Sequence, residues 1–446
     1  MSARWPAGRV SRGMPTAARL AWFALLALAA GCGRPHTAAP ITLRLWAMGR
    51  EGEVVETLVR DFERENPALR VQVQQMPWTA AHEKLITAEV GGSTPDVAQL
   101  GNTWVPEFAT LRAIQPLDRY VAASHALAES SYFRGIWDTN VVEGRTYGVP
   151  WYVDTRVLFY RTDVLARAGY DSIPGNWAGW QAAMEAVRRV QGPGHFALFL
   201  PTNEYTPWIV FGLQAHSPML LDHGTRGAFN QPEFRRAMDF ALGLFHRGLA
   251  PAVQGAQIAN RYQEFERGLF SMYISGPWDV GEFSRRLSPA MDGRWFIAAL
   301  PGPDGPASGV STAGGSSLVI FRRSRHPQEA WKLIEFLSRP EQQLRFHQLC
   351  GNLPARIEAW RDTALTHDRF ARVFETQLRR AVPTPKVPEW ESIALRIQDS
   401  AEAMVLAHAN PDSTLAALDR DVARDLEKRR WLINHGRIPV QALERP

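Results

Sequence analysis

Aromatic rings and fixed hydrogen-bonding groups recur together along this chain. Its 446 residues include sixteen tryptophans, with Asp, Glu, Asn and Arg close by in several segments. Sugar rings present flat C–H faces that pack on aromatic rings, while their hydroxyls demand fixed donors and acceptors. A buried polar group left unpaired costs about 1–3 kcal/mol, which is how such a site rejects near-isomers. Trp278 in SGPWD follows a strand pattern and a Gly-Pro turn, a placement that suits an exposed stacking platform. Acidic pairs such as Asp154 and Glu204 have the residue types for glycoside hydrolysis, which needs two carboxylates about 5–9.5 Å apart. Any sugar-binding cleft also contains carboxylates, so this pair does not separate an enzyme from a binder.

Other chemistries are missing from the sequence. There is no phosphate-cradling Gly-Lys loop, no HExxH, no GxSxG elbow and no paired-cysteine metal motif. HEKLI at 82–86 lacks the second histidine for zinc, and His82 reads as a surface position on its helix. No metal and no cofactor are expected.

The elements that must position these residues follow from periodicity. Ile41, Leu43 and Leu45 alternate with polar residues as a strand, and Val54, Val55, Leu58, Val59 and Phe62 form a helical stripe. That helix is predicted to stop at Asn66, because Pro67 disfavours helical geometry in the residue before it. A second strand around Val71 and Val73, a helix near 80–90 and a third strand over 97–100 follow. Such alternation argues for a parallel α/β sheet. A second α/β region begins after Tyr147, with a strand at 157–160 and a helix capped by Asn176. A helix over 232–247 with Gly248 just beyond it and a strand at 269–274 extend that region. The Gly-, Pro- and Ser-rich stretch 300–315 reads as a crossover followed by a loop; helices at 327–338, 340–349, 390–408 and 413–430 complete the chain.

The start of the chain is set apart. Four arginines precede an apolar run of eleven residues, Leu20 to Ala30, and then Gly31-Cys32. Eleven apolar residues are too few to span a bilayer as a helix. Together these features resemble a bacterial lipoprotein signal peptide over 1–31, with Cys32 lipidated after cleavage and 32–40 as a tether. Ala29 stands where such leaders usually carry leucine. The formal charge of +5 then falls to about +1, because the leader holds four arginines and no acid. No like-charge run of five or six remains, which excludes a nucleic-acid footprint. Cys350 is the only unmodified cysteine left, so no internal disulfide framework is available.

Six segments in order resemble the family 1 extracellular solute-binding proteins, the sugar-capturing lipoprotein components of ABC importers. They are WAMGREGEVVETLVRDFERENPALRVQVQQMPW (46–78), TPDVAQLGNTWVPEFA (94–109), YGVPWYVDTRVLFYRTDVLARAGY (147–170), RGLFSMYISGPWDVG (267–281), ALPGPDGPASGVSTAGGSSLVI (299–320) and EAWKLIEFLSRPEQQLRFHQLCGNLPAR (329–356). The resemblance implies a two-lobed α/β fold of the periplasmic-binding-protein type II, with parallel-sheet lobes joined by a hinge around a ligand cleft. It places 41–154 plus 300–356 in the first lobe, and 156–299 plus 357–446 in the second. It implies a monomer, lipid-anchored outside the cytoplasm, that closes on a di- or oligosaccharide and delivers it to an ABC permease without chemistry.

Carried over residue by residue, the resemblance names Asp154 as a hinge-side acceptor with Trp151 and Tyr152 beside it. It names Gly314, Gly315 and Ser316 as a loop whose backbone approaches the ligand, and Arg356 as an arginine reaching the cleft. Glu51 and Asn102 fall on strand-end loops that face the cleft, and Asn203, Glu204 and Trp208 suit the far wall. LQAHSPMLL departs from the Gly-rich run usual after that segment. The same fold with glycerol phosphate, a polyamine or an amino-sugar, a secreted glycoside hydrolase, and a non-importing scaffold lipoprotein are the competing readings.

Overall fold

The computed structural model describes residues 1–2 and 39–438. Cys32 and nearly all of the expected leader and tether lie outside the described residues. From Thr42 onward the chain forms one compact unit built around two sheets.

The first sheet has six strands, in the order Leu353–Pro354, Val149–Asp154, Gly314–Ile320, Val97–Gly101, Ile41–Met48 and Leu69–Met76. The helix Gly49–Glu65 covers it with Val54, Val55, Leu58, Val59 and Phe62 turned inward. Phe62 meets Phe336 edge-on at 5.5 Å, so this stripe also joins the helix Pro327–Leu337 to the layer. The helix stops where Pro67 predicts: Asn66 donates to the Phe62 carbonyl from both backbone and side chain, each at 2.9 Å.

The second sheet has four strands, ordered Trp295–Ala298, Val157–Arg161, Phe270–Ser275 and Phe196–Phe199. Its core gathers the helices Trp177–Gln191, Tyr205–Gln214, Pro232–His246, Trp390–Leu406 and Pro411–Asp425. Asn176 caps the first of these, its side-chain oxygen accepting the Gly179 N–H at 2.7 Å. Trp177 then stacks on Phe240 at 4.2 Å. Where one closing helix over 413–430 was expected, the chain breaks at Leu426 into Pro411–Asp425 and Glu427–Asn434.

Neither sheet is purely parallel. The strand Ile41–Met48 runs parallel to Val97–Gly101, but Gly314–Ile320 is antiparallel to both of its neighbours. The reason is the hinge. Val149–Asp154 carries the chain out of the first lobe, and Gly314–Ile320 brings it back alongside, pairing Gly314 with Asp154 and Gly315 with Val153. In the second lobe the same two segments pair as Leu158 with Ala298. Between the sheets Thr155 donates to the Thr312 carbonyl at 2.9 Å, and the Arg156 N–H donates to Ser311 Oγ at 3.1 Å.

The stretch read as crossover and loop is therefore structured from Ser311 onward. Gly314 and Gly315 sit in a strand, with a register irregularity just after them between Ser316 and Ser317. A Cβ on Gly314 would lie 2.2 Å from Asp154 Oδ1, and one on Gly315 2.3 Å from the Tyr152 carbonyl oxygen. Their missing side chains admit the neighbouring strand, which is a different use from admitting a ligand.

Gly315 also has φ +116°, a conformation side-chain-bearing residues rarely adopt. We expect Gly315→Ala to destabilise the protein by about 1–3 kcal/mol. Urea unfolding measures this, and an unchanged midpoint would refute the close-approach account.

Candidate functional site

Strand ends and helix starts of both sheets converge beside the hinge. On the first lobe, Glu51 is buried at the start of its helix and accepts a hydrogen bond from Asn352 Nδ2 at 2.8 Å. Asp154 ends its strand with a largely buried side chain, 3.2 Å from the Arg156 guanidinium. Burial pushes its carboxyl above the ordinary aspartate value, Arg156 pulls it back, and the Glu51 charge adds to the rise. Tyr152 is buried between Ser316 Oγ at 3.0 Å and Gln99 Nε2 at 3.3 Å, and burial raises its phenol strongly.

A second group on this lobe is aromatic. Trp78 and Trp104 meet edge-on at 5.6 Å, and His82 lies 5.0 Å from the Trp104 ring. His82 Nε2 is 2.6 Å from Glu107 Oε2. Nearby, Asn102 is buried with its oxygen 3.2 Å from the Ser317 hydroxyl and its Nδ2 without a partner.

The second lobe supplies a wall of different character. Trp278 opens the helix Trp278–Arg286 and is 44% exposed, with the Arg156 guanidinium 4.5 Å over its ring. Glu204 lies within reach of the charges of Arg156, Arg261 and Asp279; burial raises its carboxyl while the two arginines lower it. Asp279 is fully buried and accepts from Tyr262 Oη at 2.7 Å, Arg261 at 3.2 Å and Ser275 Oγ. Tyr205 Oη lies 3.5 Å from Glu391 Oε2, on the helix Trp390–Leu406.

The walls face each other. That helix lies against the turn Asn102–Trp104, and the Glu391 charge reaches His82. The cleft thus combines three exposed or half-buried tryptophans with carboxylates that have few cationic partners.

Several residues named from the resemblance lie elsewhere. Trp151 is fully buried and stacks on Phe346 at 4.4 Å, so its ring belongs to the first-lobe core. Trp208 is fully buried in the second core against Phe245 at 6.0 Å, not on the far wall. Ser316 is also fully buried, spent on Tyr152 and Gln99. Arg356 does not reach the cleft: it bonds the Ala126 carbonyl at 2.9 Å, the Ser338 carbonyl at 3.2 Å and Glu358 at 3.1 Å. Asn203 is exposed and turned outward, accepting the Gly255 N–H at 2.8 Å. In each case contacts with residues far along the chain decided the direction, and a motif match carries no such information.

Sequence reasoning passed over Trp78, Trp104, Arg156, Tyr205, Arg261 and Glu391 as site residues. Trp78 and Trp104 follow strand ends, the same signal that selected Asn102. Tyr205 and Glu391 meet across 186 positions and leave no local trace. A separate cavity of about 610 Å³ borders Trp137, Asp138, Lys386 and Arg429, but its cations are engaged. Lys386 is 2.7 Å from Asp138, and Arg429 bonds the His223 carbonyl at 3.2 and 3.3 Å. Among the described residues no group of three or more His, Cys, Asp or Glu is placed to hold a metal ion. Burial pushes the Cys350 thiol up to about 12, which leaves it inert at neutral pH.

Comparison with known proteins adds three findings. The family model described as bacterial extracellular solute-binding protein matches residues 48–344. The solved sugar-binding protein MalE of Xanthomonas citri is 47% identical, with a TM-score of 0.86, covering 88% of this chain and 99% of that one. Two curated relatives are more distant. The galactooligosaccharide-binding protein of Bacillus subtilis is 23% identical, over 84% of this chain and 86% of its own length. An uncharacterized lipoprotein of Streptomyces antibioticus is 27% identical, over 85% of this chain and 86% of its own. Among the described residues no helix is long and apolar enough to cross a membrane.

The His82–Glu107 pair generates a pH expectation. The hydrogen bond to Glu107 holds the imidazolium above the ordinary histidine value, against partial burial, with the charges of Glu107 and Glu391 adding to it. A raised histidine stabilises the fold fully below its unfolded pKa, and that contribution is lost as pH rises through the folded one. NMR titration should show His82 above the ordinary histidine range, returning towards it in Glu107→Gln; an identical midpoint in both proteins would contradict the pairing.

Proposed function

The chain belongs to the bacterial extracellular solute-binding protein family, and from that premise we propose that it captures a di- or oligosaccharide by lobe closure and delivers it to an ABC permease. The carrying observation is the cleft itself, where the exposed Trp278 ring stands among Asp154, Glu204 and Arg156. A pyranose ring against the part of that indole which Arg156 leaves exposed places its hydroxyls against charged acceptors and donors, the pairing that a neutral polyol requires. The 47% identity to a protein described as sugar-binding supports the same solute class.

Glu51, Asn102, Tyr152 and Asp154 form the first-lobe side of this site, joined by Trp78 and Trp104. Glu204, Tyr205, Trp278 and Glu391 form the second. Gly314 and Gly315 act through the hinge strand, where they let it close on Asp154. The lobe boundaries fall at the crossings 154–157 and 298–314 and beyond the strand Leu353–Pro354. Closure about these crossings presents the permease with a surface that the open form lacks. The carboxylates serve as hydrogen-bond acceptors and no bond is broken. The chain is a monomer held outside the cytoplasm by lipid on Cys32, a reading supported by the leader-like start and by a lipoprotein relative. Micromolar affinity, about −8 kcal/mol, is within what a few stacked rings and a satisfied hydrogen-bond set provide.

Titration of the soluble form with mono-, di- and oligosaccharides, followed by tryptophan fluorescence, should give one saturable response without product. Trp278→Ala and Asp154→Ala should each weaken it about tenfold or more. No response to any sugar would sink the proposal, and turnover would favour a hydrolase.

The pH dependence has a definite sign. Asp154 and Glu204 are held above the ordinary carboxylate values, chiefly by burial. Lowering the pH through their raised values protonates them in the folded state first, which stabilises the empty protein while removing two charged acceptors. Sugar affinity should therefore fall on acidification from a higher pH than an ordinary carboxylate dictates, and the fall should be shallower in Asp154→Asn.

A further inference from the structure

Arg156 and Arg261 stand out among the groups that the family resemblance did not name. Each keeps its Nε buried with no hydrogen-bond partner. Each is also already matched to a carboxylate at 3.2 Å, Arg156 to Asp154 and Arg261 to Asp279. Both distances are long for charge-assisted pairs, which run about 2.7–2.9 Å. Glu204 feels the charge of both. Their planes are supported by rings: Arg156 by Trp278 at 4.5 Å, and Arg261 by Tyr262 at 5.0 Å and Tyr273 at 5.5 Å. The wall therefore holds donors in fixed planes whose hydrogen-bonding capacity is only partly used.

The balance of charge selects what those donors can serve. Two guanidiniums face three carboxylates, Asp154, Glu204 and Asp279, so no net positive charge is left for an anion. A phosphate or carboxylate would need a free fork, and each fork here already leans on a carboxylate. Hydroxyls ask only for single N–H donors, and neighbouring carboxylates accept their protons in return.

We propose that Arg156 and Arg261 are ligand-binding residues, donating to the uncharged hydroxyls of a pyranoside seated on Trp278, and that the same wall rejects phosphorylated solutes. The inference rests on the reading of this cleft as the solute site.

The test is calorimetric titration of the soluble protein with trehalose, maltose and maltotriose, against trehalose 6-phosphate and glycerol 3-phosphate. The expected result is binding of a neutral sugar at least tenfold tighter than either phosphate. Arg156→Gln and Arg261→Gln should each weaken that sugar about tenfold or more, by more than any accompanying fall in melting temperature accounts for. Arg156→Lys, which keeps the charge and one flexible donor, should fall between. Wild-type sugar binding left unchanged in both Gln variants would overturn this inference alone, as would an affinity loss that only tracks a falling melting temperature. Tight glycerol 3-phosphate binding would overturn it together with the neutral-sugar reading, and so would failure of the wild type to bind these three sugars or any other member of the mono-, di- and oligosaccharide panel.

Discussion

The pairing of two antiparallel segments at the hinge is the constraint on which the other features depend. Because Gly314 lies directly against Asp154, the strand leaving the first lobe and the strand returning to it end at the same place. The second sheet continues both segments as Val157–Arg161 and Trp295–Ala298. Two adjacent strands crossing together can bend as a unit while each lobe keeps its own core. Glycine is demanded at 315, where a Cβ would strike the Tyr152 backbone, whereas at 314 a Cβ would meet the Asp154 carboxylate.

The same pairing positions charge. Asp154 is the last residue of its strand and Arg156 lies two positions on, so the hinge itself places an acid and a base between the lobes. Lobe cores built from apolar residues exclude water nearby, which is why burial is the first cause of the raised Asp154 and Glu204 carboxyls. Such groups are costly in the empty protein, and a ligand hydroxyl that donates to them relieves part of that cost.

Aromatic residues divide by position between the buried cores and the exposed surface. Trp151, Trp180, Trp208 and Trp390 are fully buried and hold the cores together. Trp278 is exposed because Pro277 and the helix start turn it out of the second sheet, and Gly276 leaves room for its ring. A count of sixteen tryptophans mixes buried and exposed rings, and composition cannot separate them.

Much of the fold was legible in the chain. Stripe spacing placed the helix Gly49–Glu65, Pro67 ended it, Asn176 capped Trp177–Gln191, and Gly248 followed Pro232–His246 as local backbone rules require. Those rules act over a few residues, and sequence alone therefore determined these elements, the start of a second α/β region after Tyr147, and the placing of Glu51 and Trp278 beside strand or helix starts, while Asp154 and Glu204 follow from the family resemblance. Direction was not legible. Arg356 turned into the first lobe, Trp208 into the second core, and Asn203 outward to Gly255 because partners far along the chain decide which way a side chain points. Tertiary structure alone also set the antiparallel return at the hinge and brought Glu391 to Tyr205, since both depend on contacts between segments far apart in the chain.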